Sequence, residues 1–169
     1  MKILRLWPLL ALLVSAHASA GHMTSRMREC FDGAAEYHHV NPVILKAIAR
    51  VESGYNPSAI NRNGNGSYDI GVMQINSSWF PQLRKFGVTP AALADPCTSI
   101  YTGAWILSES MRQRGNTWQA IGAYNSATPG LNERYAVKVY RVVLRHKQSF
   151  GNRAASVLTV GLDGSIGSK

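Results

Sequence analysis

Glu52 and Asp69 are the two carboxylates whose surroundings could do chemistry, in the stretch ESGYNPSAINRNGNGSYDIGVMQINSSWF that runs from Glu52 to Phe80. Cleavage of a glycosidic bond needs two acids in one cleft. One stays protonated and donates to the leaving oxygen, while the other is charged and faces the positive sugar that develops. These two lie 17 residues apart, too far for one helix face, so a folded loop must bring them together. The Gly/Asn-rich run between them supplies such a loop, and Gly-Val-Met-Gln-Ile-Asn follows directly behind Asp69.

The elements that position this pair are legible from local signals. Asn41-Pro42 predicts a helix start: Asn accepts the first free backbone N–H, and Pro fits the first helical position. Val43, Ile44, Ala47, Ile48 and Val51 form the expected core-facing stripe, and Gly54 is placed to stop the helix. Glu52 then sits in the last turn, where the negative end of the helix opposes a carboxylate. Partial burial would raise its pKa further, as a general acid requires.

Residues 61–70 are turn-rich and predict a short β-hairpin or irregular loop. Met73 to Phe80 is expected as a short helix, with further helices over 27–39, Cys97 to Arg114, Thr117 to Tyr124 and Glu133 to Phe150. The class is mainly α. From Gly151 onward the chain is rich in small residues and reads as a flexible tail, 151–169.

Residues 1–20 read as a secretory signal: Lys2 and Arg5, an apolar run from Leu6 to Val14, then Ala18-Ser19-Ala20. The run is shorter than the ~20 residues a membrane span needs, and Pro8 interrupts it. Cleavage would leave about 149 residues, enough for one domain over 21–150 and the tail. The formal charge of +9 would become +7. In an exported protein that charge suits anionic wall polymers, or solubility alone, better than nucleic acid. The only cysteines, Cys30 and Cys97, suggest one disulfide in an oxidising compartment; two unrelated buried thiols are the alternative. His38-His39 lacks partners at metal-ligand spacing and reads as surface. Trp79, Trp105 and Trp118 suit core packing better than sugar stacking.

The string ES-x-Y-NP-x-A from Glu52, then Gly71-Val72-Met73-Gln74-Ile75-Asn76, then Ala123-Tyr124-Asn125-Ser126 resembles the lytic transglycosylases of the soluble-transglycosylase type. The resemblance runs from about residue 28 to 150 and implies a lysozyme-like fold. It implies cleavage of the bond between N-acetylmuramic acid and N-acetylglucosamine in peptidoglycan glycan strands, leaving a 1,6-anhydromuramyl end without use of water. Glu52 matches the catalytic acid, Gln74 and Asn76 fall in the motif lining the glycan cleft, and Tyr124 and Asn125 match the motif whose tyrosine sits beside the glutamate.

Asp69 departs from the general pattern of that family. It is similar instead to chicken-type lysozymes, which carry an acid at the same place in a D-x-G-x-x-Q-I-N-S-x-W run. Such a combination resembles the small specialised transglycosylases of secretion, conjugation and pilus machines. The resemblance implies a periplasmic enzyme acting as a monomer without metal or organic cofactor, and an envelope apparatus as partner. Two other readings stand beside it: a hydrolytic muramidase with Asp69 as nucleophile or charge stabiliser, and a non-catalytic glycan-binding scaffold. Asp69 as a turn cap, Gln74 and Asn76 as satisfiers of buried backbone, and Tyr124 as ordinary core are the plain alternatives for those residues.

Overall fold

Asn41 and Pro42 open their helix as the sequence requires. The Asn41 side chain accepts from the backbone N–H of Val43 at 2.8 Å and of Ile44 at 3.4 Å, and Pro42 is the first helical residue. The computed structural model describes residues 22–160, with side chains to residue 147, so the leader expected over 1–20 and residues 161–169 lie outside the described part. Helices α1 (Ser25–Tyr37) and α2 (Pro42–Glu52) are followed by short strands β1 (Ile60–Arg62), β2 (Tyr68–Ile70) and β3 (Ile75–Asn76). Then come α3 (Phe80–Leu83), α4 (Pro96–Arg114), α5 (Trp118–Ala123) and α6 (Pro129–Val160).

Helix α4 is central. It starts on Asp95, whose carboxylate accepts from the Thr98 N–H at 2.9 Å, and it buries Ile100, Ala104 and Leu107 completely. Helices α1 and α5 pack on it, and α6 packs on both α2 and α5. The Cys30–Cys97 disulfide ties α1 to the start of α4, so the two cysteines are partners and not separate thiols.

The three strands form one antiparallel sheet in the order β1-β2-β3. Its register pairs Asn61 with Asp69 and Asp69 with Asn76, which centres the acid between two amide-bearing residues on one face. Gly71 ends β2 with φ +79°, and a Cβ there would come within 2.3 Å of the Leu93 carbonyl oxygen. Glycine is therefore required both for the backbone conformation and for the close approach. The turn behind it is pinned to α4 by the Met73 N–H, which donates to the buried Ser99 hydroxyl at 3.1 Å.

Four expectations need correction. Residues 73–80 are not one helix: Gln74 takes φ +48°, β3 follows, and a 3₁₀ turn begins at Ser77 because the Asn76 side chain caps it. In α2 the expected Ala47 and Ile48 are buried, but Leu45 and Ala49 join them and Val43 is 37% exposed, because α1 and α6 both pack on this helix. Trp118 is 42% exposed and packs edge-on against Tyr140, whereas Trp79 and Trp105 pack against the core and each other. Helix α6 extends to Val160, past the Phe150 end expected for it.

Candidate active site

Glu52 closes α2 at the floor of a cleft of about 670 Å³, which Asp69, Gln74, Asn76, Tyr124 and Asn125 also line. A second cavity of about 710 Å³ shares Glu52, Asn63, Asp69, Gln74 and Asn125 with the first. The shared residues make the two parts of one groove passing over Glu52. All six residues singled out from the sequence meet there.

The two acids have different environments. Burial is the main force on Glu52 and raises its pKa from 4.5 to about 7, with the nearby Asp69 charge adding to the rise. The Tyr135 hydroxyl, which donates to Glu52 Oε1, and the Lys138 ammonium both pull the other way. Glu52 is thus a carboxylic acid over much of the pH range in which proteins work, as proton donation demands.

Asp69 instead receives three side-chain amides. Asn76 Nδ2 donates to Oδ1 at 2.7 Å, and Asn63 Nδ2 and Asn61 Nδ2 donate to Oδ2 at 3.0 Å and 3.3 Å. Amide N–H groups only donate, and a carboxylate only accepts, so this shell suits a fixed negative group. The hairpin register is what delivers Asn61 and Asn76, and the tight turn through Gly64 and Gly66 folds Asn63 inward beside Ser67.

The remaining residues divide between shaping and lining. Gln74 spends its Nε2 on the backbone carbonyls of Gly71 and Ala59, at 2.9 Å and 3.1 Å, holding the turn beneath the cleft. Asn76 both caps the 3₁₀ turn, accepting from the Ser78 N–H at 2.9 Å, and orients Asp69. Tyr124 donates to the Met73 carbonyl at 2.9 Å and stacks on Tyr135 with ring centroids 6.4 Å apart. The tyrosine that bonds Glu52 is therefore Tyr135, while Tyr124 lines the cleft beside them.

Tyr135, Asn61 and Asn63 bond the two acids and are not among the residues singled out from the sequence. By spacing alone Tyr135 is one more apolar position on the last helix. The signal available was its hydroxyl, since a tyrosine at a buried position normally finds a partner. Among the described residues, no three His, Cys, Asp or Glu side chains converge as metal ligands.

Residues 29–138 match the family of the Transglycosylase SLT domain. The chain belongs to the transglycosylase SLT family. This transglycosylase is 42% identical to protein IpgF of Shigella flexneri over 122 residues, covering 69% of this chain and 80% of that one. It is 39% identical to the X polypeptide of Escherichia coli K12 (74% and 78% covered). To the invasion protein IagB of Salmonella typhimurium LT2 it is 40% identical (66% and 73% covered). Its fold is similar to an inactive mutant of the lytic transglycosylase Slt of Pseudomonas aeruginosa, with a TM-score of 0.60 at 22% identity. That match covers 73% of this chain and 24% of the much longer Slt chain. The family makes this protein a peptidoglycan lytic transglycosylase, and the helical, lysozyme-like architecture expected from the sequence is the one observed.

Removal of the Tyr135 hydroxyl isolates its effect on the acid. Donation to a carboxylate favours the charged form, so Tyr135→Phe is expected to raise the Glu52 pKa further. The alkaline fall in activity, expected near pH 7 for the wild type, should move to higher pH. Turnover should drop about tenfold, in line with a hydrogen bond to a charged group. The check is a pH–rate profile of both proteins; an unmoved alkaline limb would show that Tyr135 does not tune Glu52.

Proposed function

We propose that this transglycosylase cleaves the glycan by an internal displacement that leaves a 1,6-anhydromuramyl end. Glu52 gives its proton to the glycosidic oxygen as the C1–O bond breaks, and an oxocarbenium-like sugar forms. The muramyl C6 hydroxyl then attacks C1, and Glu52, now a carboxylate, takes the hydroxyl proton. Asp69 opposes the positive charge at C1 from across the cleft, while Asn76, Asn125 and the Asn-rich hairpin supply polar partners to the sugar. No water is consumed, and Glu52 returns to its acid form.

The observation that carries this reading is the contrast between the acids: one is pushed up by burial to about 7, and the other is encircled by amide donors. That same shell around Asp69 favours a second reading, a lysozyme-type hydrolase in which Asp69 attacks C1 or shields it while water is added. Product masses from purified peptidoglycan distinguish the two. Anhydro ends are one water lighter than the reducing ends of hydrolysis, and reducing ends as the main product would overturn the proposal. In the same assay Asp69→Asn is expected to slow cleavage on the order of 10²-fold through lost stabilisation of positive charge. An unchanged rate would reduce Asp69 to a loop residue.

Peptidoglycan lies outside the cytoplasmic membrane, and export through a cleaved leader over residues 1–20 into the periplasm is the route we propose. Similarity to IagB, named an invasion protein, supports a local role in which the monomer opens the wall for an envelope-spanning machine.

A further inference from the structure

Helix α6 carries a row of exposed charge, of which only Lys138 acts on the acid pair. Arg134, Lys138, Arg141 and Arg145 recur at helical spacing, which places all four on one stripe at about 100° per residue. Each is exposed, and none takes part in an ion pair among the described residues, where the pairs are Arg26–Asp95, Lys46–Asp32 and Arg112–Glu109. Like charges at this spacing destabilise a helix, so the row gives the fold nothing. Its position relates it to the cleft. Leu131 lines the cleft from the beginning of the same helix, Tyr135 reaches Glu52, and Lys138 acts electrostatically on Glu52. The far flank of α6 is occupied differently, by Tyr140 against Trp118 of α5.

Bare glycan offers this stripe only one lactyl carboxylate on each muramyl unit, held close to the sugar ring. The short peptides joined to those lactyl groups carry free carboxylates. We propose that Arg134, Lys138, Arg141 and Arg145 form a docking rail for the stem-peptide carboxylates of peptidoglycan, so that the enzyme prefers peptide-bearing strands to bare ones. The inference rests on the peptidoglycan activity and names which form of that substrate is selected. The rail spans about 16 Å from first to last residue at the helical rise. Its three guanidinium groups can bind carboxylates through paired N–H donors.

The test compares the wild type with Arg134→Gln/Arg141→Gln/Arg145→Gln, leaving Lys138 in place because its charge bears on Glu52. Substrates are intact peptidoglycan and the same strands stripped of peptides by an amidase. The wild type is expected to cleave and co-sediment with peptide-bearing strands preferentially, and to lose that preference as salt is raised. The triple variant should lose about tenfold of the preference, the sum of three modest exposed charge contacts, with an unchanged melting midpoint. Arg134→Lys/Arg141→Lys/Arg145→Lys should keep most of it.

An equal preference in wild type and glutamine variant would overturn the rail. So would a glutamine variant that binds only vesicles of anionic phospholipid less well, with both glycans treated alike; that result would assign the stripe to a membrane surface. Co-sedimentation separates the rail from the chemistry. Salt-sensitive, arginine-dependent retention by peptide-bearing strands supports the rail even in a protein that releases no fragments, in which case the cleavage reading fails by itself.

Discussion

Glu52→Gln is expected to lower glycan cleavage roughly 10³-fold, the range over which a positioned general acid acts. Glutamine keeps the size of the side chain and an oxygen that accepts from Tyr135, yet it has no acidic proton to give. The loss should appear in turnover with little change in binding, since the groove and its Asn-rich wall remain. Wild-type activity itself should fall as pH rises through about 7, where Glu52 loses its proton. Measurement of soluble fragments released from purified peptidoglycan across pH decides the matter. A variant retaining more than a tenth of wild-type turnover would remove Glu52 from the acid role.

The same substitution has a stability signature with a definite sign. The folded state holds the Glu52 proton more tightly than the unfolded chain, with pKa values of about 7 and 4.5. Its contribution is therefore fully present below about 4.5 and is lost as pH rises through about 7. At pH 8 the wild type carries a largely enclosed carboxylate whose cost is about 3 kcal/mol from the size of that rise. Glu52→Gln should accordingly be more stable than wild type at pH 8 and show no such gain at pH 4. Equal urea midpoints at both pH values would show that the acid is not held in the way the structure indicates.

Replacing both cysteines, Cys30→Ala/Cys97→Ala, is expected to cost about 4 kcal/mol of unfolding free energy from chain entropy. The bond closes a loop of 67 residues that contains α2, the whole sheet, α3 and the Glu52–Asp69 pair. Without it the unfolded chain gains freedom, while the packing of α1 on α4 has to be maintained by Phe31, Ile100 and their neighbours alone. Against typical domain stabilities of roughly 5–15 kcal/mol this is a large fraction. Urea unfolding of wild type with and without reductant, beside the double variant, gives the value. Neither cysteine lines the cleft, so activity at low temperature should persist where the protein is folded. A difference below about 1 kcal/mol would mean that the bond closes a loop already restrained in the unfolded state.

Local signals in the chain were enough for everything governed by neighbours a few residues apart. Asn41-Pro42 and Gly54 bracket α2, and that bracket alone puts Glu52 in the last helical turn. The Asn/Gly run calls for a hairpin or an irregular loop, and Cys30 and Cys97, with no other cysteine present, could pair only with each other. The order of the three motifs was enough to identify the family. What depends on partners far along the chain was settled by folding. Tyr135 bonds Glu52 across 83 residues, and on its own helix only its hydroxyl separates it from an ordinary core position. Asp69 lies between Asn61 and Asn76 only because β1, β2 and β3 adopt one register; a slip of one residue would turn the acid to the other face. Gln74 lines the cleft as its motif implies, but only the fold shows its amide taken by the carbonyls of Gly71 and Ala59. Caps and turns are short-range and leave their mark in the sequence. Burial, register and the charge felt by a buried acid are sums over the folded surroundings, and so only the fold could set the difference between Glu52 and Asp69.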